Sequence, residues 1–145
     1  MARPLRVEFE GAVYHLSARG NARQPVFRDE RDCARFLELL TESAQRFEAA
    51  ILCFVLMGNH FHLVAQTRRP NLRRWMHWLL VSYTMYFNRR HRSSGHLFQG
   101  AISEFFGTRR RLPAWLESLR ASQSGARAAL GTGKSHRTAK TFARL

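Results

Sequence analysis

The sequence predicts an α+β fold, a split βαβ sheet with two helices on one face. Three observations predict it. Apolar residues recur with a helical period in only two long stretches. Short apolar or alternating runs bounded by turn signals lie before, between and after them. The resulting order is strand, helix, strand, strand, helix, strand, which is the order of that unit.

Each element has its own warrant. Val13 to Ala18 (VYHLSA) reads as a short strand, closed by a turn at Arg19-Gly20-Asn21. Asp29 to Glu48 reads as a helix: acids gather at its start, and Phe36, Leu37, Leu40, Ala44 and Phe47 share one face. Ile51 to Met57 is apolar at every position, as in a central strand buried on both faces. Gly58-Asn59 is a turn, and His60 to Gln66 is the next strand. Pro70-Asn71 starts the second helix, in which Leu72, Trp75, Met76, Leu79, Leu80, Tyr83 and Tyr86 mark an apolar stripe running to about His91. Arg92 to Gly95 is a loop, and His96 to Gly100 leads into a last strand. This is the ferredoxin-like arrangement. After Gly100 the composition changes. Gly, Ala, Ser, Thr and Arg dominate from Ser122, so the tail is expected to be disordered or non-native, apart from a short helix near Pro113 to Ser122.

A length of 145 residues is one domain at ~150 residues per domain. The apolar run Ile51 to Met57 has seven residues, far short of the ~20 that span a membrane, so no membrane partner is expected. Met1-Ala2-Arg3-Pro4 lacks the apolar stretch of a secretory leader. Cys33 and Cys53 are too few for a disulfide framework or a CxxC zinc site, and the expected home is a reducing cytoplasm.

The charge is informative. Lys plus Arg number 24 against 10 acids, a formal charge of +14, which favours a polyanion such as nucleic acid. A solvated basic surface would show the same balance. No acid occurs from Ala49 to Ser103, whereas seven arginines do. Arginine outnumbers lysine 22 to 2, which suits bidentate phosphate binding, although genomic base composition produces the same bias. Arg73, Arg74, Arg89 and Arg90 fall off the apolar stripe of the second helix or at its end, and are candidate DNA contacts.

His60-Phe61-His62 places two imidazoles on one face of a strand and Phe61 on the other. Two co-facing imidazoles bind one divalent metal when a further ligand arrives from elsewhere. Spacing alone leaves both a metal pair and two structural histidines open, because His-x-His is short. His15, His77, His91 and His96 read as surface or satisfied structural groups.

Met57-Gly58-Asn59-His60-Phe61-His62-Leu63 resembles the histidine-hydrophobe-histidine (HUH) motif of single-tyrosine transposases. Five further blocks resemble REP-associated tyrosine transposases, which are insertion-sequence-200-like: Arg3-Pro4-Leu5-Arg6, Gly11 to His15, Arg19-Gly20-Asn21 with Val26-Phe27, Tyr83 to His91, and Gly95 to Gly100. The resemblance covers residues 3 to 100. It implies a ferredoxin-like fold and a divalent ion, Mg or Mn, on His60 and His62. It implies single-stranded or hairpin (palindromic) DNA as partner, with Arg19 and Asn21 as contacts; a plain turn residue is the other reading of Asn21. It implies a monomer or homodimer in a bacterial cytoplasm, associated with the nucleoid. In intact relatives a tyrosine hydroxyl attacks phosphorus and leaves a phosphotyrosine for rejoining.

The family's tyrosine follows the block matching Phe98-Gln99-Gly100, but this chain's three tyrosines, Tyr14, Tyr83 and Tyr86, all precede it. Tyr83 and Tyr86 sit on the apolar stripe, where core packing accounts for them. The third metal ligand of the family is missing as well. Codons exist for Ala101 to Arg127 that, one nucleotide later, read through G-A-Y-L-L and R-Y-V-H-L-N-P-V-R, as the family does. The expectation is therefore a frameshift near Gly100, a truncated transposase domain over 3–100, and a basic tail over 101–145. No catalytic residue is assigned. The chain is expected to be a transposase-family protein without its nucleophile. The alternative is a non-catalytic DNA-binding remnant or an unstable product.

Overall fold

The computed structural model describes residues 8–108 and 140–142. The Arg3-Pro4-Leu5-Arg6 block, the expected helix at Pro113 to Ser122 and most of the tail lie outside the described residues. Strands β1 (Ala12–Gly20), β2 (Ala49–Met57), β3 (His60–Thr67), β4 (Phe98–Thr108) and β5 (Lys140–Phe142) form one sheet in the order β4-β1-β3-β2-β5. Helices α1 (Glu30–Arg46) and α2 (Leu72–His91) pack together with one face of it. Both β1 and β2 pair antiparallel with β3, so they run parallel to each other with β3 between them. That is the split βαβ unit, closed by β4 on β1.

Alternation sets the two faces of the sheet. Ala12, Tyr14, Leu16 and Ala18 of β1 and Phe61, Leu63 and Ala65 of β3 are buried against the helices. From α1 come Phe36, Leu39, Leu40 and Ala44; from α2 come Leu72, Trp75, Met76, Leu79, Tyr83 and Phe87. Two polar atoms that enter this core are satisfied: Trp75 Nε1 donates to Ser43 Oγ (2.8 Å) and the Tyr83 hydroxyl donates to the Val26 carbonyl (2.6 Å).

The two helices are joined at one end by charge. Asp29 caps α1, its carboxylate accepting from the Asp32 backbone N–H (3.0 Å). Asp32 is fully buried and accepts from the Arg28 backbone N–H (2.9 Å), the Arg90 guanidinium (2.6 Å) and His91 Nε2 (2.9 Å). Arg90 also forks onto both oxygens of Asp29, at 2.8 and 2.7 Å. Acids thus stand at the start of α1 and bases at the end of α2, where each complements its helix dipole.

Four details differ from the expectation. β1 runs on through Arg19 and Gly20, because Gly20 N–H donates to the Asn59 carbonyl and Asn21 N–H to the Leu97 carbonyl (both 2.8 Å); the turn is the following 3-10 segment, Asn21–Arg23. α1 stops at Arg46, and Glu48 takes a left-handed φ of 54° that turns the chain into β2. β2 is not buried on both faces, nor is it the centre. Helices cover one face only, so Ile51, Phe54 and Leu56 reach the main core, while Leu52 and Cys53 meet Val13 and Val64 on the other. A register shift between Ile51 and Cys53 changes the parity that the sequence showed as an unbroken apolar run. Finally, the last strand extends to Thr108, with the backbone of residues 101–108 paired to β1. Among the described residues no helix is long and apolar enough to cross a membrane.

Two outcomes test this joint. Asp32→Ala strands the buried ends of Arg90 and His91 and lowers the unfolding free energy by about 3 kcal/mol, read by urea denaturation. The Arg90 hydrogen bond holds the Asp29 carboxyl down to about 2, from 3.8. A depressed carboxyl contributes stability above its unfolded pKa and loses it as pH falls through the folded one. Stability therefore drops between pH about 4 and about 2, and Arg90→Met flattens that part of the pH profile.

Candidate functional site

The helix-free face of the sheet collects the polar residues of the central strands. In the β1–β3 register Ser17 stands opposite His62 and Arg19 opposite His60; in the β2–β3 register these positions face Val55 and Met57. Directly opposed residues share a face. Phe61 and Leu63 are buried on the other side, so alternation turns both imidazoles outward together. Their ring centroids are 5.2 Å apart, with planes at 87°.

Each histidine is held at Nδ1. Asn59 Oδ1 lies 2.7 Å from His60 Nδ1; an amide oxygen only accepts, so that nitrogen carries the proton and Nε2 carries a lone pair. His15 Nε2 lies 2.9 Å from His62 Nδ1. Burial, and then the Arg19 cation, lower the pKa of His60. Burial, followed by His15, His60 and Arg19, does the same for His62. Both shifts favour the neutral ring, which is the ligand form of imidazole.

The turn that carries His60 is clamped from β1's far end. The Gly58 carbonyl accepts from the N–H groups of Val26 (2.8 Å) and Phe27 (3.0 Å), and Asn59 Nδ2 donates to the Arg23 carbonyl (3.4 Å). Gly20 makes this approach possible: a Cβ there would stand 2.1 Å from the Gln24 carbonyl oxygen. Ala22 and Arg23 both take left-handed φ, 50° and 58°. Asn21 is exposed, and its backbone closes the 3-10 turn by accepting from Gln24 N–H (3.0 Å).

The nominated arginines separate in space. Arg19 is exposed on the histidine face. Arg73, Arg74 and Arg89 are exposed on α2, on the helix side. Arg90, also on α2, is engaged by Asp29 and Asp32. A groove of about 450 Å³ lined by Arg31, Arg35, Glu38, Tyr86 and Arg90 lies on the helix side too. The structure therefore brings only Arg19, and at the strand's end Asn21, next to the histidine pair.

The tyrosines also lie away from it. Tyr14 and Tyr83 are in the main core, and Tyr86 is packed against it. Burial pushes the Tyr83 phenol far up, with Asp32 adding to the effect. Of the other histidines, His91 is bound to Asp32, and His77 and His96 are exposed. His15 is the residue that sequence reasoning missed. Its signal was the parity His15, Ser17, Arg19 in β1, legible only once β1 is paired to the His-x-His strand.

Two co-facing imidazoles fit one divalent ion as a pair of ligands, His60 through its free Nε2. Among the described residues no group of three His, Cys, Asp or Glu is placed to hold a metal, so the rest of its coordination has to come from outside this pair.

A family model described as "Transposase IS200 like" matches residues 8–107. No curated protein matches the chain. A solved structure, "Structure of the REP associates tyrosine transposase bound to a REP hairpin", superposes with a TM-score of 0.61 over 86% of this chain and 75% of that one. At 9% identity that likeness is one of fold.

Gly20→Ala tests the clamp. The added Cβ must displace the 24–27 segment, and the expected loss is about 2 kcal/mol in a thermal melt, with shifted imidazole resonances for His60.

Proposed function

The chain belongs to the IS200-like transposase family, and from that membership we propose that it binds single-stranded or hairpin DNA on its helix-free sheet face without cleaving it. The observation that carries this reading is the mismatch on that face. A neutral histidine pair stands beside the exposed Arg19, while the chain's three tyrosines belong to the core on the opposite side.

The residues divide the work as follows. Arg19 supplies a cation to a phosphate next to His60, and its planar fork matches two phosphate oxygens. Asn21, at the same end of β1, offers its exposed amide to a base or sugar. His60 and His62 present Nε2 lone pairs that would hold a divalent ion. Nitrogen donors favour Mn over Mg, which prefers an all-oxygen shell. When bound, such an ion polarises a phosphate oxygen. Transfer of the strand to protein needs a hydroxyl in line with phosphorus. Tyr83 spends its hydroxyl on the Val26 carbonyl, and its phenol is far from ionising. Arg73, Arg74 and Arg89 extend the basic surface along α2, where they attract DNA over longer range. In this reading Arg90 is structural, its guanidinium being neutralised by Asp29 and Asp32.

The test uses a labelled DNA hairpin with single-stranded flanks, in fluorescence anisotropy with and without Mn2+. Affinity is expected to fall steeply with salt. Arg19→Ala should weaken binding by about tenfold, roughly the worth of one charge-assisted contact. His60→Ala should remove any dependence on Mn2+. Denaturing gels should show no protein–DNA adduct. An adduct that disappears in Tyr83→Phe or Tyr86→Phe would overturn the reading.

A further inference from the structure

His15 lies outside the His-x-His segment, yet one of its ring nitrogens meets one of His62. The planes are nearly parallel, at 8°, with centroids 5.1 Å apart and His15 Nε2 2.9 Å from His62 Nδ1. At that centroid separation the rings meet edge to edge, as partners in a hydrogen bond. The register explains the contact. His15 stands opposite Val64, so His62 is its diagonal neighbour on the same face, within reach of long or aromatic side chains. Ser17, directly opposite His62, is too small to block that diagonal.

One proton lies between the two nitrogens, and its owner decides what His62 can do. If His15 donates, His62 is protonated at Nε2 and has no lone pair to offer. If His62 donates, its Nε2 is a ligand. Two observations favour the second arrangement. His60 already has it, with Nδ1–H directed at Asn59 Oδ1 (2.7 Å). The Arg19 cation, in register with His60 and next in parity to Ser17, favours lone pairs over N–H groups around it. We infer that His15 is a positioning residue for His62: it accepts the Nδ1–H, fixes the tautomer and holds Nε2 free on the same face as that of His60. This rests on the reading of the pair as metal ligands. Partners of this kind orient ligating histidines and raise their basicity.

The experiment has two readouts on the full chain. The first is the imidazole 1H–15N NMR spectrum of the metal-free protein. Wild type should carry the His62 proton on Nδ1. His15→Phe keeps the ring but removes the acceptor and should move the proton toward Nε2, whereas His15→Gln returns an acceptor and should restore Nδ1–H. The second is calorimetric titration with Mn2+. His15→Phe should bind about 10–100-fold more weakly, and His15→Gln should recover most of that loss. A wild-type His62 protonated at Nε2 overturns the inference, even if the Phe variant fails to fold. So does a folded Phe variant with unchanged tautomer and affinity. If the tautomer responds as expected but wild type takes up no Mn2+, the hold of His15 on His62 stands and the metal reading falls.

Discussion

The outer face depends on β3 being paired on both sides at once. Its register with β1 puts Arg19 and Ser17 across from the two histidines, and its register with β2 puts Met57 and Val55 there. Because side chains alternate, a slip of one residue would turn both imidazoles into the core and expose Phe61 and Leu63. Burial of those two apolar side chains is therefore what holds the histidines outward. The site's geometry follows from the core's demand for apolar area.

Pairing alone would leave the turn before His60 loose. The segment after β1 removes that freedom by donating two backbone N–H groups to Gly58 and accepting one from Asn59. The Arg19-Gly20-Asn21 block thus has two jobs. Gly20 allows the close approach, and Arg19 adds charge beside the histidines. At the other layer, the Asp29–Asp32–Arg90–His91 cluster ties the start of α1 to the end of α2. It lies on the helix side, so the helix joint and the histidine pair stand on opposite faces of the sheet. A buried carboxylate with three partners costs desolvation but fixes the helices against each other.

Much of this was legible in the chain. The bounds of α2 follow from Pro70-Asn71 and a stripe of apolar residues, and the structure starts and ends it at Leu72 and His91. The outward aim of His60 and His62 follows from the same period-two rule that buries Phe61. Where reading failed, the cause lay elsewhere in the fold. A bulge hid the alternation of β2. Leu39 and Phe87 joined the core because the two helices pack as a pair and widen each other's buried stripe. Arg90 looked like a free cation until Asp29 and Asp32, about sixty residues earlier, came beside it.

By itself the sequence determined the element order, the shared face of His60 and His62 and the family, because periodicity, turn residues and motif blocks are local along the chain. Only the tertiary structure decided which groups work together on that face. It joined His15 to His62 across 47 residues, left Arg19 beside His60, and kept every tyrosine with the core. The physical reason is that strand register and helix packing are set by burial over the whole sheet, and no window of sequence contains both partners of such a contact.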